Sequence, residues 1–316
     1  MTDDAPRAPQ KKPFPWGVIV IAIVVLGAAT PFALPRIRRA LAHRGSPPPR
    51  SAPVLVTGRC PSGMAEIPGA SVELGSARGG TEAPLHTVTF APFCMDGTEV
   101  TVAAYAACVR KGGCSPAPTE VGGPGTTPWD KQHGAQFCNA GRDGREEHPI
   151  NCVEWSQADA YCKAMGGRLP TEDEWEYAAR GRDGRLYPWG DAEPGPTRLD
   201  ACGSECVDLW ERLGKTRGPL YDGDDFWEAT APVGSYPEGR SAFGMVDMAG
   251  NVWEWTASEP SGDDPKPPNG SGEARVLRGG GWSMNNTAGV RATSRGFHQP
   301  TSRSNGIGFR CAQSLP

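Results

Sequence analysis

Apolar positions change character once along this chain. From Trp16 to Leu34 they run for 19 residues without a charge, bounded by Lys11 and Lys12 before and by Arg36, Arg38 and Arg39 after. From Cys60 onward they come in short bursts between Gly, Pro and Asn. The long run matches a bilayer span and exceeds the usual apolar core of a signal peptide. It predicts an uncleaved signal anchor over 16–34, with cleavage near Ala28-Ala29 as the alternative. Residues 1–15 then form a cytoplasmic tail and 35–59 a linker, stiffened by Gly-Ser-Pro-Pro-Pro-Arg-Ser-Ala-Pro at 45–53. The folded domain is expected over 60–316.

Inside that domain three segments lie between a capping residue and a glycine stop. Thr101 caps Val102–Lys111 ahead of Gly112-Gly113, and Ser156 caps Gln157–Met165 ahead of Gly166-Gly167. Thr171-Glu-Asp-Glu174 is a capping box for a helix running to Arg180, with Gly181 just beyond. The acids Glu172, Asp173, Glu174 and Glu176 on that helix read as a solvated face plus a cap. Leu85–Phe90 and Arg275–Leu277 predict strands. With no internal repeat, the pattern points to one α+β domain with much irregular backbone rather than a doubly wound sheet.

One stretch organises the rest: Gly244-Met-Val-Asp-Met-Ala-Gly-Asn-Val-Trp-Glu-Trp-Thr256. In an extended segment Trp253 and Trp255 point to one face and Glu254 to the other, while Gly250 and Asn251 supply a turn after Asp247. Two readings follow. Either the tryptophans fill a core, or Asp247, Glu254 and turn carbonyls converge on a hard cation such as Ca²⁺.

Composition and charge narrow the class. Gly 42 and Pro 32 are high, yet 10 Trp are retained, as in a loop-rich globular fold with a real core. Residues 1–50 carry eight Lys/Arg against two Asp, so residues 51–316 hold −10 of a net −4. An acidic domain offers nucleic acid no electrostatic attraction. The 10 cysteines suit an oxidising compartment. Zinc is disfavoured because no Cys-x-x-Cys pair occurs and His43, His86, His133, His148 and His298 are scattered. Charge alone would put the domain in the cytoplasm, since more arginines follow the apolar run than precede it. The cysteines outweigh that count and place it outside the cell membrane.

Several motifs, in order, resemble the formylglycine-generating enzyme, or sulfatase-modifying factor, family. They are His148-Pro-Ile-Asn-Cys-Val-Glu-Trp155, the run from Ala160-Tyr-Cys-Lys to Trp-Glu-Tyr-Ala-Ala-Arg180, Tyr187-Pro-Trp-Gly190, Gly244–Thr256, Arg275-Val-Leu-Arg-Gly-Gly-Gly-Trp282 and Gly306-Ile-Gly-Phe-Arg-Cys311. The resemblance implies a C-type-lectin-like α+β fold with little regular secondary structure. It also implies two calcium sites, one from Asp247, the carbonyls of Gly250 and Val252, and Glu254, the other from Asp200, the Ala201 carbonyl, Asp225 and the Trp227 carbonyl. A family disulfide is implied at Cys162 and Cys311, and a second would fall at Ala179 and Ala292, both partners being absent. Proximity in sequence then suggests Cys60–Cys94, Cys108–Cys114, Cys138–Cys152 and Cys202–Cys206.

The family's chemistry uses a cysteine pair that binds Cu(I) and activates oxygen. The corresponding segment here, Gly279–Arg295, contains no cysteine, and the aligned positions fall near Met284 and Thr287. Copper is therefore not expected. In place of thiols the groove segment offers Trp282, Ser283, Asn285, Asn286, Arg291 and Arg295, a set suited to holding a peptide or glycan. Alternatively, the asparagines shape turns and the arginines pair with acids. The expectation is a membrane-anchored, extracytoplasmic binding or structural module without formylglycine-generating activity. The runner-up is an oxidoreductase of the same fold with a cysteine-independent mechanism, and a working sulfatase modifier comes third.

Overall fold

The computed structural model describes residues 59–315 apart from Thr81, 262–263 and 265–272. The expected tail, signal anchor and most of the linker lie outside the described residues. Among the described residues no helix is long and apolar enough to cross a membrane.

The domain opens with β1 (Met64–Ile67), β2 (Ala70–Leu74), β3 (His86–Phe90) and β4 (Phe93–Asp96). β4 pairs antiparallel with β1 and with the closing strand β9 (Ala312–Ser314), so both ends of the domain share one sheet, while β2 and β3 form a separate hairpin. The helices are α1 (Val102–Arg110), α2 (Pro128–His133), α3 (Trp155–Ala164), α4 (Glu172–Arg180) and α5 (Ser204–Arg212). A second sheet runs in the order β7 (Arg295–His298), β6 (Arg275–Arg278), β5 (Trp253–Trp255), β8 (Ile307–Gly308), with only β5 and β8 parallel. This is the mixed helix and sheet class that the pattern predicts.

Capping fixes α1 and α4 where the sequence places them. Thr101 Oγ1 accepts from Ala104 N at 3.1 Å, and Thr171 Oγ1 accepts from Glu174 N at 3.1 Å while Glu174 Oε2 accepts from Thr171 N at 2.9 Å. The middle helix differs from expectation. It starts at Trp155 with Glu154 as cap, not after Ser156. Tertiary contacts draw Trp155 in: its backbone N–H donates to Pro300 O at 2.9 Å and its indole to Thr256 O at 2.8 Å. The acids of α4 also need correcting, because they are not a solvated face. Arg168 donates to both oxygens of Glu174 at 2.6 Å, and Glu176, 2% exposed, lies between Arg278 and Arg180.

Five disulfides form, Cys60–Cys94, Cys108–Cys114, Cys138–Cys152, Cys162–Cys311 and Cys202–Cys206, and no cysteine is free. Cys162–Cys311 ties α3 to the C-terminal segment across 149 residues. On a chain-entropy account such a loop is worth roughly 5 kcal/mol. The bridge crosses a core in which Tyr105 stacks on Tyr161 at 5.5 Å and Phe309 meets both rings edge-on. A second core, under β1, β2 and β4, holds Trp175, Tyr177, Met245 and Met248 together with Ala179 and Ala292, the two positions at which the resemblance implied a further bridge.

Candidate functional site

The stretch Gly244–Thr256 bends sharply before β5. Asp247 and Asn251 take positive φ of 58° and 56°, and Gly250 takes 82°. A Cβ on Gly250 would lie 2.1 Å from the Asp200 carbonyl oxygen, so only glycine lets these two loops touch. Asn251 is pinned between loops: its N–H donates to Asp200 O at 2.9 Å and its side-chain amide to Glu99 Oε2 at 2.6 Å.

Beyond the turn, Trp255 enters the core and donates to Val153 O at 3.1 Å. Glu254, on the other face of β5, receives Arg310 Nη2 on Oε1 at 2.7 Å, with Arg310 Nε and the Trp175 indole on Oε2, each at 2.7 Å. Neither Glu254 nor Arg310 has exposed side-chain surface. Asp247 Oδ2 accepts from Gly234 N at 2.6 Å. Burial pushes Asp247 up to about 6, helped by the charge of Glu254, and pushes Glu99 well above the usual carboxylate range with help from Asp247 and Glu254. Of the four expected ligands, Glu254 and the Asp247 carbonyl thus meet a positive charge that the protein itself supplies, while Gly250 N donates to Gly279 O and Val252 N to Glu99 Oε1. The fit to a metal ion is weak there, since the Arg310 guanidinium already neutralises Glu254.

The second acidic set differs. Asp200, 1% exposed, accepts from Ala231 N at 2.9 Å through Oδ2, while its Oδ1 is buried without a partner. Asp225, fully buried, accepts from Trp227 N at 3.0 Å, Ala201 N at 3.2 Å and the Tyr221 hydroxyl at 2.7 Å. That hydroxyl also lies 3.2 Å from Leu199 O and 3.3 Å from Ala201 O, and one proton cannot serve three acceptors. Glu205, Asp224 and Asp225 each offer a carboxylate oxygen within 4.8 Å of the others. No Arg or Lys forms an ion pair with Asp200, Glu205 or Asp225 among the described residues. Burial and then Asp225 hold Asp200 well above its usual range; burial, Asp225 and Asp224 push Glu205 up to about 8; burial pushes Asp225 up to about 6. Carboxylates gathered this closely in the interior, with no ion pair to Asp200, Glu205 or Asp225 among the described residues, suit a hard cation. The two residues that sequence reasoning missed, Glu205 and Asp224, stand beside Asp225 here.

The segment after Gly279-Gly280 lines a cavity of about 400 Å³ facing the β2–β3 loop, with Arg78, Glu82, Trp253, Met284, Asn286 and Arg291 around it. Trp282 is not among them. Its ring is 2% exposed and stacks on Trp210 at 5.9 Å, because the turn at Gly281 directs it inward. Ser283 and Asn285 are half-buried and also stand off the cavity. Asn286 shapes a turn, accepting from Gly289 N at 2.9 Å. Arg295 borders the cavity but is held by Glu172 at 2.6 Å and Asp264 at 2.5 Å. Arg291 meets Glu82 at 3.3 Å and keeps 24% of its side chain exposed. The turn-and-ion-pair alternative therefore accounts for Asn286, Arg295 and Arg291, although Arg291, with Arg78, still lines the groove.

Comparison with known proteins agrees with this architecture. The sulfatase-modifying factor enzyme 1-like domain family matches residues 55–315. The chain is 35% identical over 296 residues to the formylglycine-generating enzyme of Streptomyces coelicolor, covering 80% of this chain and 90% of that protein. It is 40% identical over 181 residues to the inactive C-alpha-formylglycine-generating enzyme 2 of Mus musculus, covering 53% of this chain and 50% of that one. Among solved structures it is similar to PvdO from Pseudomonas aeruginosa, with a TM-score of 0.59, 26% identity and coverage of 84% of this chain and 100% of that one. With a family match across the whole described domain, this chain belongs to the sulfatase-modifying factor enzyme 1-like family.

Proposed function

We propose that this protein is a membrane-anchored, extracytoplasmic member of its family that holds a ligand in the groove between Arg78 and Arg291 and does not generate formylglycine. The observation that carries this reading is the state of its cysteines. All ten are committed to disulfides, and the groove segment presents Met284, Asn286 and Arg291 with no thiol. One thioether cannot stand in for the thiolate pair that such chemistry needs from Cu(I) ligands. Arg291 and Arg78 can instead engage an anionic group of a peptide or glycan, over the ring of Trp253. Calcium belongs to this reading as a structural ion at Asp200 and Asp225, where it would supply the missing positive charge and fasten loops that have few sheet or helix bonds.

A peptide containing Cys-x-Pro-x-Arg, incubated with the protein, Cu(I) and oxygen and then weighed by mass spectrometry, is expected to keep its thiol. Conversion to the aldehyde overturns the reading. A parallel screen of peptides and glycans is expected to give ligands whose binding falls on Arg291→Ala while thermal stability is unchanged. Ligands indifferent to that substitution would place the binding surface elsewhere.

A further inference from the structure

The cavity beside Met284 has a loop for one wall and a turn for another. The connection between β2 and β3 brings Arg78 and Glu82, and the 3₁₀ turn Thr287–Val290 ends at Arg291. The N–H groups of that turn are already used, Gly289 N by Asn286 and Arg291 N by Ala288 O. Neither of these walls offers a free strand edge, so an extended peptide finds no backbone ladder to join along them.

The polar groups around the cavity are mainly donors. Arg78 is exposed and makes no ion pair among the described residues, whereas Arg291 is countered by Glu82. Asn286 gives its Oδ1 to Gly289 N, which leaves the amide Nδ2 to donate. The Ser294 hydroxyl and the Trp253 indole N–H meet no acceptor among the described residues. Glu82 is the one carboxylate among the described lining residues. Trp253 itself is half-buried and seated against Gly281 and Gly296, where an added Cβ would stand 3.4 Å from ring atoms Cδ1 and Cζ3.

An indole, several donors and an uncountered guanidinium together suit a ligand with an apolar face, many acceptor oxygens and an acidic group. An acidic side chain of a peptide brings the last of these alone. A sugar acid brings all three, because the C–H face of a pyranose can cover an indole while hydroxyls and a carboxylate or sulfate lie around its rim. Resting on the groove reading above, we propose that the ligand is an acidic glycan, with a pyranose ring on Trp253 and its carboxylate or sulfate held by Arg78 and Arg291. The cavity volume, about 400 Å³, is in the range of small-ligand sites.

Calorimetric titration of the full chain, purified in detergent, tests the ligand class. The acidic probes are trigalacturonate, which carries carboxylates, and a heparin-derived tetrasaccharide, which carries carboxylate and sulfate. Methyl-esterified trigalacturonate keeps the rings without the charge, and Glu-Glu-Glu keeps the charge without the rings. At least one acidic glycan is expected to bind roughly tenfold or more tightly than either control. Binding of trigalacturonate would identify the carboxylate as the recognised group, and binding of the heparin fragment alone the sulfate. Arg78→Ala should weaken that binding on the order of tenfold with the melting temperature unchanged, because the side chain is exposed. Trp253→Phe, which shrinks the stacking surface, should weaken it too. If either control binds as tightly as the acidic glycans, or if neither acidic glycan binds, the inference is overturned, while the groove reading is decided separately by the Arg291→Ala screen. An acidic glycan indifferent to Arg78→Ala is held by other groups, and that result overturns the inference as well.

Discussion

Arg310 and Glu254 meet with no exposed surface on either side chain, and each is tolerable inside the core only while the other is charged. Glu254→Ala would leave the guanidinium buried against the backbone oxygens of Asp96, Val246 and Asp247. Removing one partner of such a pair is expected to cost about 3–5 kcal/mol, read from urea unfolding of wild type and variant. A loss below about 1 kcal/mol, the scale of a surface pair, would mean that Glu99 or Asp247 takes over the charge. At this scale the sequence shows donors and acceptors but not who meets whom. Asp247 and Glu254 stand out as acids around a turn, because seven residues and a Gly-Asn pair relate them. Arg310 lies 56 positions away from Glu254, and no local spacing announces it. Trp282 is the converse case. Its place beside three glycines suggests a groove residue, yet the direction of one Cβ sends the ring to Trp210 instead.

Elements were legible where their ends carry a chemical signal. Thr101 and Thr171 announce α1 and α4, because a hydroxyl that satisfies a free N–H can be read without the fold. α5 has no such mark, since its cap is Gly203, and the helix is fixed by burying Cys206, Leu209 and Trp210 and by its disulfide. The strands β1, β2 and β4 are as short as β3 and β6, but Met-Ala-Glu-Ile, Ala-Ser-Val-Glu-Leu and Phe-Cys-Met-Asp hold only one β-branched residue or none, whereas β3 reads Thr-Val-Thr-Phe. The loop and helix from Asp200 to Trp227 have a consequence of their own for pH dependence. Burial raises Asp225 to about 6 and Glu205 to about 8, so without metal the folded state binds more protons than the unfolded chain from about pH 4, where free carboxyls titrate, to about pH 8. Stability then falls as pH rises across that window. In chelator the melting temperature is expected to drop between pH 5 and pH 8, and Ca²⁺ should raise it more at pH 8 than at pH 5, with Mg²⁺ less effective in an irregular oxygen cage. An equal calcium response at both pH values would show that the cluster is not where the ion binds.

For the molecule as a whole, the unresolved choice in the sequence is between two signals that oppose each other. Arg36, Arg38, Arg39, Arg44 and Arg50 follow the apolar run, whereas only Arg7, Lys11 and Lys12 precede it, which favours a cytoplasmic domain. The cysteines favour the opposite side, and the fold adds weight to them. Among the five bridges, one joins the segment before β1 to β4, one joins α1 to the turn after it and one joins α3 to the C-terminal segment, and four of the ten cysteines have no exposed surface at all. In a reducing cytosol the same positions would hold ten thiols, most of them buried in pairs at bonding distance, and a domain so rich in loops would lose the cross-links that replace regular hydrogen bonding. On this ground we propose residues 35–316 outside and 1–15 inside. Alkaline phosphatase, whose own folding needs oxidising conditions, is the reporter for this: fused after Pro316 of the full chain, it is expected to be active in intact cells. A fusion that accumulates to the same level without activity would put the domain in the cytoplasm, and the calcium and groove readings would then have to be argued again for a reduced protein.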